Sequence, residues 1–413
     1  MKASRWLTYE NGLVILLGLT FGFVFFDRNA IGFLGPYIVK DLGLNNAQVG
    51  YLASGLSLAW ALSAYFIGAW SDRSGSRKPF LVISILVFSV CSVFSGLAAG
   101  FLMLLMARII MGVAEGPFLP VCLTIINEES SPTRRGTNAG IVQTLFASLL
   151  GTAAAPIILI WLAESFNWRV TFFLTGIPGL ICAFMVWKFV REPQRVDDQE
   201  VRQSHGIGLN TLRMLKIRNV KICSLISIFM VSWYLVSLTF MTLFFTQYRG
   251  FTPFEAGRMM GAAALCTPIA GFSIPWLSDR LGRRPVMVFF CFLSMLTPLA
   301  ALCFHGPLWL LGMLLFIGWS GSGTFPLFMG VIPGETVPRT MAATSMGLVV
   351  GIGELLGGTL APTAAGWLGD MSTLAAPMLA IAACALVAGV LSLFLEETAP
   401  ARVQKPVSAS QVT

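Results

Sequence analysis

The chain has 413 residues, of which 56% are apolar and only 11% charged, whereas soluble domains carry about 25% charged residues. So few charges cannot cover a water-facing surface, which excludes a soluble protein and implies an integral membrane one. The 27 Lys and Arg against 19 Asp and Glu leave a formal net charge of +8; in a membrane chain the depth of each charge matters more than the sum, and no nucleic-acid partner is expected.

A bilayer core of about 30 Å takes about 20 mostly apolar residues per helix, and the alternation of a transmembrane barrel is absent. In chain order the apolar runs predict twelve helices, at roughly 12–37, 48–70, 80–98, 101–126, 137–163, 169–189, 220–247, 256–277, 286–304, 308–332, 340–366 and 374–395. The first is too long for a signal-peptide core, and no small-residue cleavage site follows it. Threaded from a cytoplasmic N-terminus, these helices leave only Lys40, Arg169, Arg249 and Arg258 in outer loops, so the positive-inside rule places both termini in the cytoplasm. The longest polar stretch, with Glu192, Pro193, His205 and several Arg, lies at 191–219. It divides an N-terminal six-helix bundle (1–190) from a C-terminal one (220–397), and a cytoplasmic tail (398–413) follows. Two His and no Cys-x-x-Cys pair exclude the usual zinc and haem spacings. The eight scattered Cys read as small buried hydrophobes, and neither metal nor cofactor is expected.

The segment GAWSDRSGSRKPF after the second span returns as IPWLSDRLGRRPVMVF after the eighth, so Asp72, Arg73, Gly75 and Arg77 correspond to Asp279, Arg280, Gly282 and Arg284. Pro120, Glu129 and Pro132 correspond to Pro326, Glu335 and Pro338 at nearly the same offset, about 206 residues. Parallel repeats of six spans are a transporter architecture. The repeated Asp-Arg-x-Gly-x-Arg loop resembles the signature of the major facilitator superfamily, and the resemblance covers essentially the whole chain. It implies an all-α membrane protein of twelve helices in two pseudo-symmetric six-helix bundles. Asp72, Arg73, Arg77, Asp279, Arg280 and Arg284, with Arg134, Glu335 and Arg339 in neighbouring loops, then read as gating residues that pair across loops when the inner gate shuts.

Five charges fall well inside spans: Asp27 and Arg28 in the first, Arg108 and Glu115 in the fourth, and Glu354 in the eleventh. Each costs about 2.5–3.5 kcal/mol at a helix centre. The competing reading is that they only lock helices together; against it, pairing in lipid contributes little net stability, and three acids outnumber two arginines. Arg108, and with it Arg28, offers a planar fork that matches a carboxylate, while Asp27, Glu115 and Glu354 suit proton exchange. The segments Phe-Phe-Asp27-Arg28-Asn-Ala-Ile and Arg108-x-x-x-Gly112-x-x-Glu115-Gly116 resemble the anion:cation symporter family of organic-anion transporters. That resemblance implies proton coupling at Asp27 and Glu115 and anion binding at Arg28 and Arg108, with Gln143 as a looser polar contact.

The chain departs from that family at Trp60-Ala-Leu-Ser-Ala-Tyr65-Phe-Ile-Gly68, where Tyr, Gln, Pro and Gly are common, and at Glu354, where Asn is usual. An indole wall from Trp60 and an extra acid are therefore expected. Glu354 stands open between accepting substrate hydroxyls, binding a positive group and carrying a proton. Trp233, Tyr234 and Trp319 are further candidate substrate contacts, suited to a planar anion. The reading is a monomeric bacterial inner-membrane symporter that imports an aromatic or sugar acid with protons by alternating access. A proton-driven exporter of drugs or metabolites is the alternative, and a membrane-embedded enzyme or sensor a remote one.

Overall fold

The computed structural model describes residues 9–192 apart from 75, 132 and 133, and 214–399 apart from 339 and 340, together with 402; the side chains of 65, 68, 69, 72–74, 136 and 343 are not described. Helix follows helix: α1 (Tyr9–Leu42), α2 (Asn46–Ser74), α3 (Lys78–Gly96), α4 (Phe101–Glu129), α5 (Thr137–Ser165), α6 (Trp168–Phe189), α7 (Arg218–Tyr248), α8 (Pro253–Leu281), α9 (Arg283–Cys303), α10 (Leu308–Thr336), α11 (Thr344–Met371) and α12 (Ala375–Ser392). Eleven are long and apolar enough to cross a membrane by length and composition; α2, which ends in Asp72-Arg73-Ser74, is the other. The apolar runs thus mark each helix in the right order, and several of the helices run past the apolar run into polar flanks. The segment expected as a linker, 191–219, lies mostly outside the described residues, and α7 already begins at Arg218 within it.

The repeat in sequence is a repeat in packing. In the first half α1 lies along α5 and α3 along α6; in the second α7 lies along α11 and α9 along α12. Small residues let the axes approach: Gly18 and Gly22 of α1 meet Phe146 and Leu150 of α5, and Gly353 and Gly357 of α11 meet Ser227 and Ile228 of α7. Both of these α5 and α11 stretches widen into π-helix, at Ile141–Ala154 and Gly353–Gly358, positions that the repeat superposes. Two spanning helices of the first half are broken. α1 is interrupted at Asn29, whose Nδ2 donates to the Gly151 carbonyl at 2.8 Å, and α4 is interrupted at Gly116-Pro117, where proline cannot continue the ladder.

The halves meet chiefly at the end of the bundle that carries Gly43, opposite the end where α1 begins. There Gly50 and Gly366 bring α2 and α11 against each other's backbone at Pro362 and Asn46. The Asp370 carboxylate accepts from the N–H groups of Asn46 (2.9 Å) and Ala47 (2.8 Å), capping α2 from the other half. Thr363 donates to the Ser54 hydroxyl and Trp367 Nε1 to the Tyr51 hydroxyl, each at 2.8 Å. Gly32 of α1 packs on Leu238 of α7, and Gly257 of α8 on Pro156 and Ile160 of α5. Toward the Tyr9 end, by contrast, Gly347 and Gly351 of α11 face open space. The bundle is closed at its Gly43 end.

Asp370→Ala removes a helix cap worth about 1 kcal/mol, a roughly fivefold shift toward opening at that end. A cysteine placed at Ser54 should react correspondingly faster with a membrane-impermeant maleimide in the Asp370→Ala background, and an unchanged rate would show that the cap does not hold the closure.

Candidate functional site

Because α1 breaks at Asn29, its first segment, Tyr9–Arg28, ends inside the bundle, where terminal carbonyls lack helical partners. Arg108 of α4, only 1% exposed, serves that end: its Nη1 lies 3.3 Å from the Asp27 carbonyl oxygen and 3.5 Å from that of Arg28. A cation at a helix C-terminus also opposes the helix dipole. Consecutive helical residues diverge by about 100°, and here they part completely. Asp27, fully buried, turns into the first half, where Ser92 Oγ (2.8 Å) and Thr175 Oγ1 (2.9 Å) donate to its Oδ1. Arg28 turns into a narrow cavity between the halves, and its guanidinium rests against the rings of Phe25 (5.6 Å) and Trp60 (5.1 Å).

That cavity, about 40 Å³, is lined by Arg28, Arg108 and Ser57 from the first half and by Leu235, Leu238 and Thr239 from the second. Glu115, two turns beyond Arg108 on α4 and 1% exposed, leaves both carboxylate oxygens without a hydrogen-bond partner. Of the surrounding charges, Arg28 acts on it most strongly. On the other side Glu354, on the π-helical stretch of α11, keeps a buried Oε2 without a partner, and Arg28 attracts it too. Arg28 is therefore within electrostatic reach of one acid from each half. Unpaired groups of this kind are costly in a dry interior, so the cluster is held for something other than stability. Among the described residues no group of three or more His, Cys, Asp or Glu is placed to hold a metal.

Several expected contacts lie elsewhere. Trp233 sits about 200° around α7 from Leu235, so it faces the packed interior of the second half, fully buried, with its ring 5.3 Å from Trp319. Trp319 is equally enclosed, and its indole donates to Thr267 at 3.1 Å. Both indoles stand behind the wall instead of on it. Tyr234, between those faces, packs on Trp319 (5.8 Å) and Phe325 (5.5 Å) and lies within electrostatic reach of Arg28 and Glu354. Gln143 is exposed on α5 outside the cavity. Asp27, expected to exchange protons with the cavity, is instead shut in by α3 and α6; Ser92 and Thr175, its donors, carry no charge or motif that sequence could flag.

With that end of the bundle open, the residues expected to pair across loops when the inner gate shuts make local contacts. Asp279 pairs with Arg283 one turn on (2.5 Å), and Glu335 pairs with the same guanidinium (2.9 Å); Arg283, not Arg284, is the hub. Arg280 lies over the Trp276 ring at 4.0 Å. In the first half Arg77 pairs with Glu128, and Arg134 with Glu10 at 3.7 Å. Asp72, Arg73 and Arg339 lie outside the described side chains. Each of these pairs stays within its own half, because the halves are apart at that end. One device repeats: the Glu192 carboxylate accepts from the N–H groups of Arg77 and Lys78 at the start of α3, and Glu397 from those of Arg283 (2.7 Å) and Arg284 (3.2 Å) at the start of α9. Glu192 and Glu397 are spaced as the repeat is, a signal that was available in the sequence.

The profile of the Major Facilitator Superfamily matches residues 17–355 and 222–412, and the chain belongs to that family, which is one of transporters and not of enzymes. Among curated proteins it is 28% identical over 259 residues to the hexuronate transporter of Bacillus subtilis, a match that covers 62% of this chain and 59% of that protein. It is 27% identical to a probable 4-methylmuconolactone transporter of Cupriavidus pinatubonensis (80% and 78% covered). It is 23% identical to the D-galactonate transporter of Escherichia coli (92% and 94% covered). Among solved structures a D-xylose-proton symporter superposes with a TM-score of 0.75 at 17% identity, over 95% of this chain and 99% of that one; the likeness is one of fold.

Replacing both donors to Asp27, as Ser92→Ala with Thr175→Val, leaves a buried carboxylate short of two hydrogen bonds at about 1–3 kcal/mol each. The double variant should unfold at a clearly lower temperature in detergent than either single one, and an unchanged melting temperature would mean that Asp27 is served by other groups.

Proposed function

We propose that this chain is a proton-coupled transporter that imports an organic carboxylate, an aromatic or sugar acid, across a bacterial inner membrane. The observation that carries the reading is Arg28: a cation in the cavity between the halves, stacked on Trp60 and drawn toward Glu115 and Glu354. A carboxylate that enters the cavity binds the face of Arg28 turned away from the rings, with Arg108 behind it. Arriving negative charge competes with Glu115 for the same guanidinium, so Glu115 takes a proton as the substrate binds and releases it as the substrate leaves. Anion and proton then travel together. With both termini in the cytoplasm, the closed Gly43 end is the outer gate, and the described conformation faces inward. The relatives' printed substrates, hexuronate, galactonate and a muconolactone, agree with a small acid or its lactone.

In proteoliposomes with an imposed pH gradient, a panel containing 4-hydroxybenzoate and D-galactonate should include an acid that accumulates, with the accumulation collapsed by a protonophore. Removing one charge-assisted contact costs about 1.5–3 kcal/mol, so Arg28→Ala and Arg108→Ala should each weaken binding roughly 10- to 100-fold; binding that matches the wild type in both variants would sink the anion-site assignment. Glu115→Gln should abolish proton-driven accumulation while sparing counterflow exchange, and loss of both would show a structural role instead.

A further inference from the structure

The repeated loops use equivalent arginines differently. Arg77 and Arg284 correspond in the repeat, but Arg77 is paired with Glu128, whereas in the second half the neighbouring Arg283 takes both Asp279 and Glu335. Arg284 is exposed, and its guanidinium has no hydrogen bond or ion pair among the described residues. Only its backbone N–H is engaged, by Glu397, whose carboxylate also accepts from the N–H groups of Arg283, Thr398 and Ala399. That guanidinium stands at one end of a groove of about 670 Å³, where α9 meets the end of α12. Val288, Phe289, Phe292 and Leu293 continue the groove along α9, and Leu393 closes it from beyond α12. Arg284, Val288 and Phe292 are four apart, as are Phe289 and Leu293, so they form one stripe along the helix. Gly389 of α12 admits the Phe292 ring at the deep end, and the groove ends with the first segment of α9, at Leu293.

We propose that this groove binds one anionic phospholipid of the leaflet at the Tyr9 end, with its phosphate on Arg284 and an acyl chain laid along Val288, Phe292 and Leu393. Length supports a lipid as the occupant. From Arg284 to Leu293 the helix rises about 14 Å, and half of a bilayer core of about 30 Å is about 15 Å, so a cation at the level of the head groups is followed by an apolar channel one leaflet deep. Charge supports an anionic lipid. A guanidinium without a counter-charge offers a fork that matches two phosphate oxygens. Phosphatidylethanolamine brings its own ammonium, which competes with Arg284 for that phosphate, and phosphatidylglycerol brings none. The chain itself adds shape but little selectivity, because lipid tails are as apolar as the groove and gain only packing there. Preference among lipids is therefore set by the head group at Arg284. The site lies on the membrane face of the second half, apart from the Arg28 cavity, and does not depend on what that cavity carries.

The test is native mass spectrometry of the full chain released from detergent micelles, titrated with phosphatidylglycerol or phosphatidylethanolamine of identical acyl chains. The first phosphatidylglycerol should bind the wild type about fivefold more tightly than the first phosphatidylethanolamine. Arg284→Ala should bring that ratio close to one, and Arg284→Lys should restore most of it. Lys188→Ala, which removes a cation of the first half that rests on Phe184 and Phe189, should leave the ratio alone. Val288→Trp, which fills the groove and spares Arg284, should weaken the first binding of both lipids. Equal affinity of the two lipids for the wild type overturns the inference, and that outcome needs no variant to fold. A ratio unchanged in Arg284→Ala overturns it as well, and a ratio lost equally in Lys188→Ala does so in favour of diffuse attraction to the basic surface. Inorganic phosphate that displaces the lipid at equal concentration, with binding unaffected by Val288→Trp, would overturn it in favour of a free-anion site.

Discussion

Arg108 holds the end of a broken helix inside the bundle, and the geometry of the cavity follows from that contact. Without the break at Asn29, α1 would present its side chains at regular steps and its carbonyls would be spent on its own ladder. With it, the carbonyls of Asp27 and Arg28 face a guanidinium from α4. Asp27 is then anchored to α3 and α6, and Arg28 is released into the space between the halves. One buried cation fixes the first half and aims the second cation at the cavity. Arg108 also keeps Nε and Nη2 unpartnered, so it has donors to spare for a ligand.

Charge balance gives this arrangement its chemical sense. Three acids and two arginines lie in the interior, and two of the acids, Glu115 and Glu354, each with a buried oxygen that has no partner, come from opposite halves and are drawn to the same guanidinium. Under the proposed alternating access, rocking of the halves would alter how Arg28 is shared. In the proposed mechanism a substrate anion at Arg28 enters this competition, which would link its arrival to the protonation of an acid without any dedicated relay. The closure at the Gly43 end is of another kind: small residues and neutral hydrogen bonds, with Asp370 capping α2, hold a seam that can part without exposing a buried ion pair.

Depth along the membrane was legible in the sequence, and direction around each helix was not. Counting residues into each apolar run located the helices and the interior charges, because a chain in lipid without barrel alternation spans as long apolar helices, and the matched loop segments located the repeat. The seven-residue step from Arg108 to Glu115 also put both on one buried face. The same counting could not separate Asp27 from Arg28, whose side chains part only because α1 is broken, nor place Trp233 and Trp319 behind Tyr234, which depends on how α7 and α10 are rotated. The loop pairs of the open end were not legible for a related reason: charges at helix ends have several partners within reach, and with the halves apart Arg283 takes Asp279 and Glu335 on its own half. Glu192 and Glu397 were overlooked though their spacing matched the repeat, since they bond to backbone N–H groups, which sequence does not mark.

The central claim is that an anion on Arg28 draws a proton onto a neighbouring acid, and the pH of the medium tests it most directly. Adding a transported carboxylate to weakly buffered proteoliposomes, at no initial gradient, should make the outside medium alkaline in step with uptake, and Glu115→Gln should take up the acid by exchange without that alkalinisation. Uptake by the wild type with no pH change outside would contradict the account.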